Sequence, residues 1–151
     1  MQNPALFLHA PSRTFRPVMV PGEVLLLQRN DVHFSARFQD EQGVDKSVAA
    51  DGYVLLSTLR IVFVASKLTA DFQAFDVPLS LIHREGFAQP VFGTNHLYGM
   101  VDRWAVGPTS FKLYFYNGGS GVFLKVVIDL LTKHRAREVR RNSPFVVHAA
   151  S

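Results

Sequence analysis

Two hydrophobic periods divide the chain. Between Gly22 and Tyr116 the apolar residues come as short runs or as alternations, the mark of strands with at least one buried face. Val24-Leu25-Leu26-Leu27 is a short apolar run and Arg29-Asn30-Asp31 has the chemistry of a turn; Val32, Phe34, Ala36 and Phe38 then alternate with His33, Ser35 and Arg37. This predicts a hairpin with one face in a core. Asp40-Glu41-Gln42-Gly43 marks the next turn, after which residues 53–56 and 59–64 give two strands joined closely at Ser57-Thr58. Phe72, Phe75 and Val77 with Pro78 predict an edge or bulged strand, because proline cannot donate to a ladder. Further strands are expected over 81–88, 92–104 and 110–116, the last with Phe111, Leu113 and Phe115 set against Lys112, Tyr114 and Tyr116.

The period then changes. Asn117-Gly118-Gly119-Ser120-Gly121 reads as a turn with Ser120 as a helix cap, and Val122, Phe123, Val126, Val127, Leu130, Leu131 and His134 recur at helical spacing. One helix over about 120–140 is expected, stopped by Ser143-Pro144. Residues 1–21, with prolines at 4, 11, 17 and 21, show no sustained period; they read as an extended leader laid along the domain by Leu6, Phe7 and Phe15, with regular structure beginning after Gly22. The predicted organisation is a leader over 1–21, a domain over 22–141 and a tail over 142–151. About seven antiparallel strands closed by one amphipathic C-terminal helix form a pleckstrin-homology-like arrangement. It is a mainly β (α+β) half-open barrel whose open end the helix plugs. Such a scaffold fixes no function by itself.

Composition narrows the class. With 151 residues, 48% of them apolar, the chain is long enough for one domain with its own core. The absence of cysteine excludes disulfides, thiolate metal sites and a cysteine nucleophile, and is compatible with cytosol or nucleus. Met1-Gln2-Asn3-Pro4 lacks a positive n-region, and the longest apolar stretch, 53–65, falls short of the roughly 20 residues a spanning helix needs. A soluble protein of cytoplasm or nucleus is expected, with peripheral membrane attachment as the alternative setting.

Charge is more informative by region than in total. The net charge is +4; residues 1–118 hold ten Lys/Arg against ten Asp/Glu, and residues 119–151 hold six against two. The basic excess therefore lies in the last fifth of the chain. Lys133, Arg135, Arg137, Arg140 and Arg141 stand where cations complement the negative end of a helix dipole. They are also the candidate anion or lipid contacts, each cation being worth about 1 kcal/mol at an anionic surface. The mouth of the barrel offers only Arg29, Lys46, Arg60 and Lys67, with Asp31, Asp40, Glu41 and Asp45 competing, which makes a poor phosphate cradle. Nucleic acid is not expected as a direct partner, since the aromatics fall mostly at core-facing strand positions and do not interleave with cations.

Reactive constellations are absent. Gly119-Ser120-Gly121 completes neither a nucleophile elbow nor a phosphate loop. The six histidines are scattered without metal-ligand spacing, and Asp40-Glu41, the one adjacent carboxylate pair, sits in a turn. No enzyme, metal or cofactor is expected.

At Gln89-Pro90-Val91-Phe92-Gly93-Thr94-Asn95, followed by Gly99, the sequence resembles the WW domain-binding protein 2 family, whose members carry a GRAM domain of pleckstrin-homology-like fold. Tyr53-Val54-Leu55-Leu56-Ser57-Thr58, Arg60-Ile61-Val62-Phe63, Ser66-Lys67, Phe75, Pro78, Leu79 and Ser110, Lys112, Leu113, Phe115 agree in order and spacing, so the likeness covers roughly residues 15–140. The resemblance implies an adaptor or transcriptional co-regulator of cytoplasm and nucleus that binds a protein partner and has no catalytic residue. Phosphoinositide or anionic-membrane binding is the alternative. The family's proline-rich tail with Pro-Pro-x-Tyr motifs is not matched: the 151 residues contain no Pro-Pro pair, so a WW-domain partner is not supported. Gln89, Pro90, Val91, Phe92, Gly93 and Asn95 are read as structural. Pro90 removes a donor, Gly93 permits a bend and Phe92 anchors the segment in the core.

Overall fold

The computed structural model describes residues 3–102 and 107–142. Its main body is one antiparallel sheet of β3 (Leu25–Gln39), β4 (Asp45–Ser57), β5 (Arg60–Ala65), β6 (Ala74–Pro78), β7 (Ile82–Ala88), β8 (His96–Asp102) and β9 (Pro108–Phe115). The spatial order is β6-β5-β4-β3-β9-β8-β7, so β3 joins two meanders and β6 and β7 are the edges. A 3-10 turn, Leu79–Leu81, links those edges, and α1 (Ser120–Asn142) closes the half-barrel. β1 (Leu6–His9) and β2 (Thr14–Pro17) form a separate hairpin.

Alternation places the core. Val32, Phe34 and Ala36 of β3 and Phe111, Leu113 and Phe115 of β9 turn inward, and all six are buried. Phe123, Val127 and Leu131 of α1 meet them: spaced by four residues, they lie on one helix face. Phe115 and Phe123 pack with ring centroids 5.2 Å apart, and Phe34 stacks on Phe63 at 5.0 Å.

β4 and β5 read as continuous apolar runs because both of their faces are covered. Val54, Leu56, Ile61 and Phe63 face the main core. Leu55, Val62 and Val64 form a second cluster with Ala74, against which Leu6 and Tyr53 pack. The Tyr53 hydroxyl donates to the Phe15 carbonyl at 2.6 Å, fastening β2 over that outer face. Gly52 of β4 is required by close approach, since a Cβ there would collide with the Val64 carbonyl.

The predicted elements are corrected at five places. Arg29-Asn30-Asp31 does not turn the chain. β3 runs through it with a register shift between Arg29 and Val32, and Asp31 takes a positive φ of 55°. The expected hairpin partner is instead β4, which begins at Asp45, well before residue 53. Its first half carries no clear apolar pattern because it is mostly exposed, with only Val48 and Ala50 half-buried. Regular structure does not wait for Gly22; β1 and β2 precede it. The strand expected over 92–104 begins at His96, and its end at Trp104 lies outside the described residues. The helix cap is Gly119, whose carbonyl receives the Phe123 N–H at 3.4 Å, while Ser120 is the first helical residue. Ser143-Pro144 and the tail beyond it lie outside the described residues.

Candidate functional site

The basic helix end separates into two halves. Lys133 pairs with Asp129 at 3.0 Å along its own helix, and Arg135 pairs with Glu85 and reaches the Ile82 carbonyl at 3.4 Å. Arg137, Arg140 and Arg141 are exposed and pair with no carboxylate among the described residues. The helix docks this end against the 3-10 turn and the β4–β5 connection, where His134 Nε2 lies 3.0 Å from the Thr58 carbonyl. Register fixes the pole: Ser57 pairs with Leu25 at one end of the β3–β4 ribbon and Asp45 with Gln39 at the other. The arginines therefore stand away from the 40–44 loop. At that loop Lys46 lies 4.0 Å from Asp40, with Glu41 and Asp45 exposed and Arg37 in the same hollow; of the other cations expected at the mouth, Arg60 pairs instead with Glu23 and Asp76, and Arg29 bonds the Gly119 carbonyl.

β7 and α1 build an apolar groove of about 230 Å³. Phe87 and Leu97 supply its sheet side, and Leu124, Val127, Ile128 and Leu131 its helix side. Ile128 is 53% exposed although it lines this groove. β7 has β8 on one side and no strand on the other. Its first half is blunted by a bulge between His83 and Gly86, with Arg84 at a φ of 51°, and by Arg135 on the Ile82 carbonyl. Gly86, Phe87 and Ala88 continue the edge in regular register with Tyr98, Leu97 and His96. On the other edge the start of β6 is covered: the Asn3 side-chain oxygen accepts from the Gln73 and Ala74 N–H groups, and the Asn3 main-chain N–H donates to the Ala74 carbonyl.

The segment from Gln89 to Asn95 is a loop between β7 and β8. Phe92 does not anchor it in the core. Val91 and Phe92 are each 92% exposed, and Gly93 turns the chain at a φ of 123°. Asn95 fixes the loop's exit through its carbonyl, which accepts the Phe115 N–H at 3.0 Å.

No three His, Asp or Glu side chains among the described residues are placed to hold a metal ion. Among the described residues the groups with clearly displaced titration are Glu23, Tyr53 and Arg60, which join the leader to the barrel. Glu23 pairs with Arg60 at 2.9 Å, and Tyr53 separately donates to the Phe15 carbonyl, so each ties chain segments together.

Comparison with known proteins agrees with this architecture. No family model matches the chain. A postacrosomal sheath WW domain-binding protein of Macaca fascicularis is 31% identical over 75% of this chain and 47% of its own length. Its Bos taurus counterpart is 29% identical over 80% of this chain and 40% of its own. Human WW domain-binding protein 2 is 29% identical over 71% and 43%. The chain thus spans less than half the length of these relatives. Among solved structures the Vps36 N-terminal PH domain aligns with a TM-score of 0.57 over 78% of this chain and 86% of its own, at 12% identity, which shows the pleckstrin-homology-like fold.

Proposed function

For this homologue of the WW domain-binding proteins, we propose a protein-interaction module that receives an extended segment of a partner along the free edge of β7, with apolar side chains of that segment seated against α1. The observation that carries the reading is the coincidence of an unpaired strand edge with an apolar groove. A strand edge offers main-chain hydrogen bonds to any extended peptide, and pockets beside it choose the side chains. The relatives are named for binding WW domains; with no Pro-Pro pair in these 151 residues, the reading rests on the barrel surface. An adaptor or co-regulator of cytoplasm and nucleus fits a module of this kind, and among the described residues no helix is long and apolar enough to cross a membrane.

Selection of a random peptide library on the whole chain tests the proposal. Enriched peptides should carry alternating apolar residues, perturb the NMR signals of Gly86 to Ala88 and Leu124 to Ile128, and lose affinity at least tenfold against Ile128→Glu. Peptides that bind equally well to Ile128→Glu, or no enrichment at all, overturn it.

The second reading is attachment to an anionic membrane through Arg137, Arg140 and Arg141, favoured by their exposure and lack of acidic partners among the described residues. Sedimentation with phosphatidylserine and phosphoinositide vesicles across a salt series decides it. Binding should be strongest at low salt and fall when the three arginines are replaced together by glutamine. No binding to either vesicle at low salt removes this reading.

A further inference from the structure

The outward face of β3, β9 and β8 carries a different chemistry. Cross-strand register sets His33 beside Tyr114 and Tyr114 beside His96; the next row sets Ser35, Lys112 and Tyr98 side by side. The rings adjoin one another. His96 and Tyr114 lie 4.5 Å apart at 32°, His33 and Tyr114 at 6.1 Å, and His96 and Tyr98 at 6.1 Å. Tyr98 is 41% exposed, so the array is open to solvent at that end. His33, His96 and Tyr114 are half-buried, which leaves Tyr98 the most exposed ring of the array.

Cations interleave with these rings. Arg37, Arg84 and Lys112 line the same hollow of about 620 Å³ as Tyr98 and Tyr114. None of the three pairs with a carboxylate among the described residues. Acids at the margins of this face are engaged: Asp51 lies 2.8 Å from His33 Nδ1, Asp102 2.8 Å from His83 Nε2, and Asp45, which shares a neighbouring hollow with Arg37, accepts from Gln39 Nε2 at 3.2 Å. Phe111 and Phe115 face the core as expected, and Tyr114 stands on the outward half of the alternation as the sequence predicts; Tyr98 of β8 joins it there.

Flat rings with cations between them fit a ligand that has both planar groups and regularly spaced negative charge. Tyr114 and Tyr98 sit on adjacent strands, one row apart, so their Cβ atoms stand about 7 Å from each other, within reach of two neighbouring bases. We propose that this face binds single-stranded nucleic acid. Tyr114 and Tyr98 are the stacking platforms, and Lys112, Arg37 and Arg84 meet the phosphates. A duplex buries its base faces and leaves the rings unused. An anionic membrane or an acidic peptide would meet the cations alone.

Fluorescence anisotropy of the whole chain with labelled twelve-nucleotide oligo(dT) and oligo(U) tests this, alongside a twelve-base-pair duplex, a poly-Glu peptide and phosphatidylserine vesicles. The single strands should bind tightest, with affinity falling steadily as salt rises. Tyr98→Ala and Tyr114→Ala should each weaken single-strand binding about tenfold. Lys112→Gln should flatten the salt dependence by about one counterion. Tyr98 and Lys112 are exposed, so these two variants retain the fold even if Tyr114→Ala does not, and thermal melting verifies it. No single-strand binding at low salt overturns the proposal. Duplex, poly-Glu or vesicles binding as tightly as the single strands, or single-strand affinity unchanged in Tyr98→Ala, overturns it equally.

Discussion

The Arg60 Nε donates to Glu23 Oε2 at 2.9 Å, and the rest of the same guanidinium reaches Asp76 at 3.1 Å and the Val18 carbonyl at 2.8 Å. One side chain therefore ties the segment before β3 to both β5 and β6. Burial alone would raise the Glu23 pKa, but hydrogen bonds from Arg60, Ser57 and the Val20 N–H outweigh it and hold the carboxyl below its ordinary 4.5. A carboxyl depressed in the folded state contributes stability that is complete above the unfolded value and lost as pH falls through the folded one. Stability should thus decline below about pH 4.5. Glu23→Gln should cost about 2 kcal/mol at pH 7, less than severing a wholly buried pair because Asp76 and Val18 still hold Arg60. Urea unfolding from pH 7 to pH 3 checks both: the variant's curve should be flatter below pH 4.5, and parallel curves would refute the coupling.

Phe92→Ala should change the unfolding free energy by less than about 0.5 kcal/mol, because a side chain 92% exposed has little packing to lose. A calorimetric melt checks this. A loss above about 2 kcal/mol would return Phe92 to the core anchoring that its sequence context suggests.

How much was readable in the chain follows from which signals are local. The inward alternations of β3 and β9 and the buried helix face of Phe123, Val127 and Leu131 are patterns of burial, and the sequence shows them directly. The bulge at Arg29-Asn30-Asp31 uses the same residue types as a turn; only the pairing partners, β4 and β9, distinguish the two, and they lie far along the chain. Phe92 misled for a related reason. A phenylalanine between proline and glycine is anchored or exposed according to what packs around it, and here nothing does. The β7–α1 groove and the ring array both join elements distant in sequence, although the outward set Lys112, Tyr114 and Tyr116 was visible as the polar half of an alternation.

The buried face of α1 and its groove-facing neighbour should separate cleanly. Phe123 is fully buried against Phe115, and its replacement by alanine should cost about 3–5 kcal/mol. Ile128, 53% exposed, should cost under about 1 kcal/mol. Chemical denaturation of both variants measures the difference. Equal losses would mean that Ile128 is part of the core and is not available to a partner.

Two glycines three positions or fewer from the start of α1 should respond to alanine with opposite signs. Gly119 holds a φ of 75°, and a Cβ there would lie 2.7 Å from Arg29 Nε, the atom that bonds the Gly119 carbonyl at 3.3 Å. The Arg29 side chain can swing aside, but the left-handed backbone cannot be relieved without moving the helix start. Gly119→Ala should therefore destabilise by about 1–2 kcal/mol, and most of that cost should persist in an Arg29→Ala background. Gly121 lies inside the helix with nothing near its missing Cβ, so Gly121→Ala should stabilise by about 0.5–1 kcal/mol. Denaturant midpoints of the wild type, the three single variants and the Arg29→Ala/Gly119→Ala double variant measure both signs. Recovery of Gly119→Ala to full stability once Arg29 is removed would assign the cost to collision instead of to backbone strain.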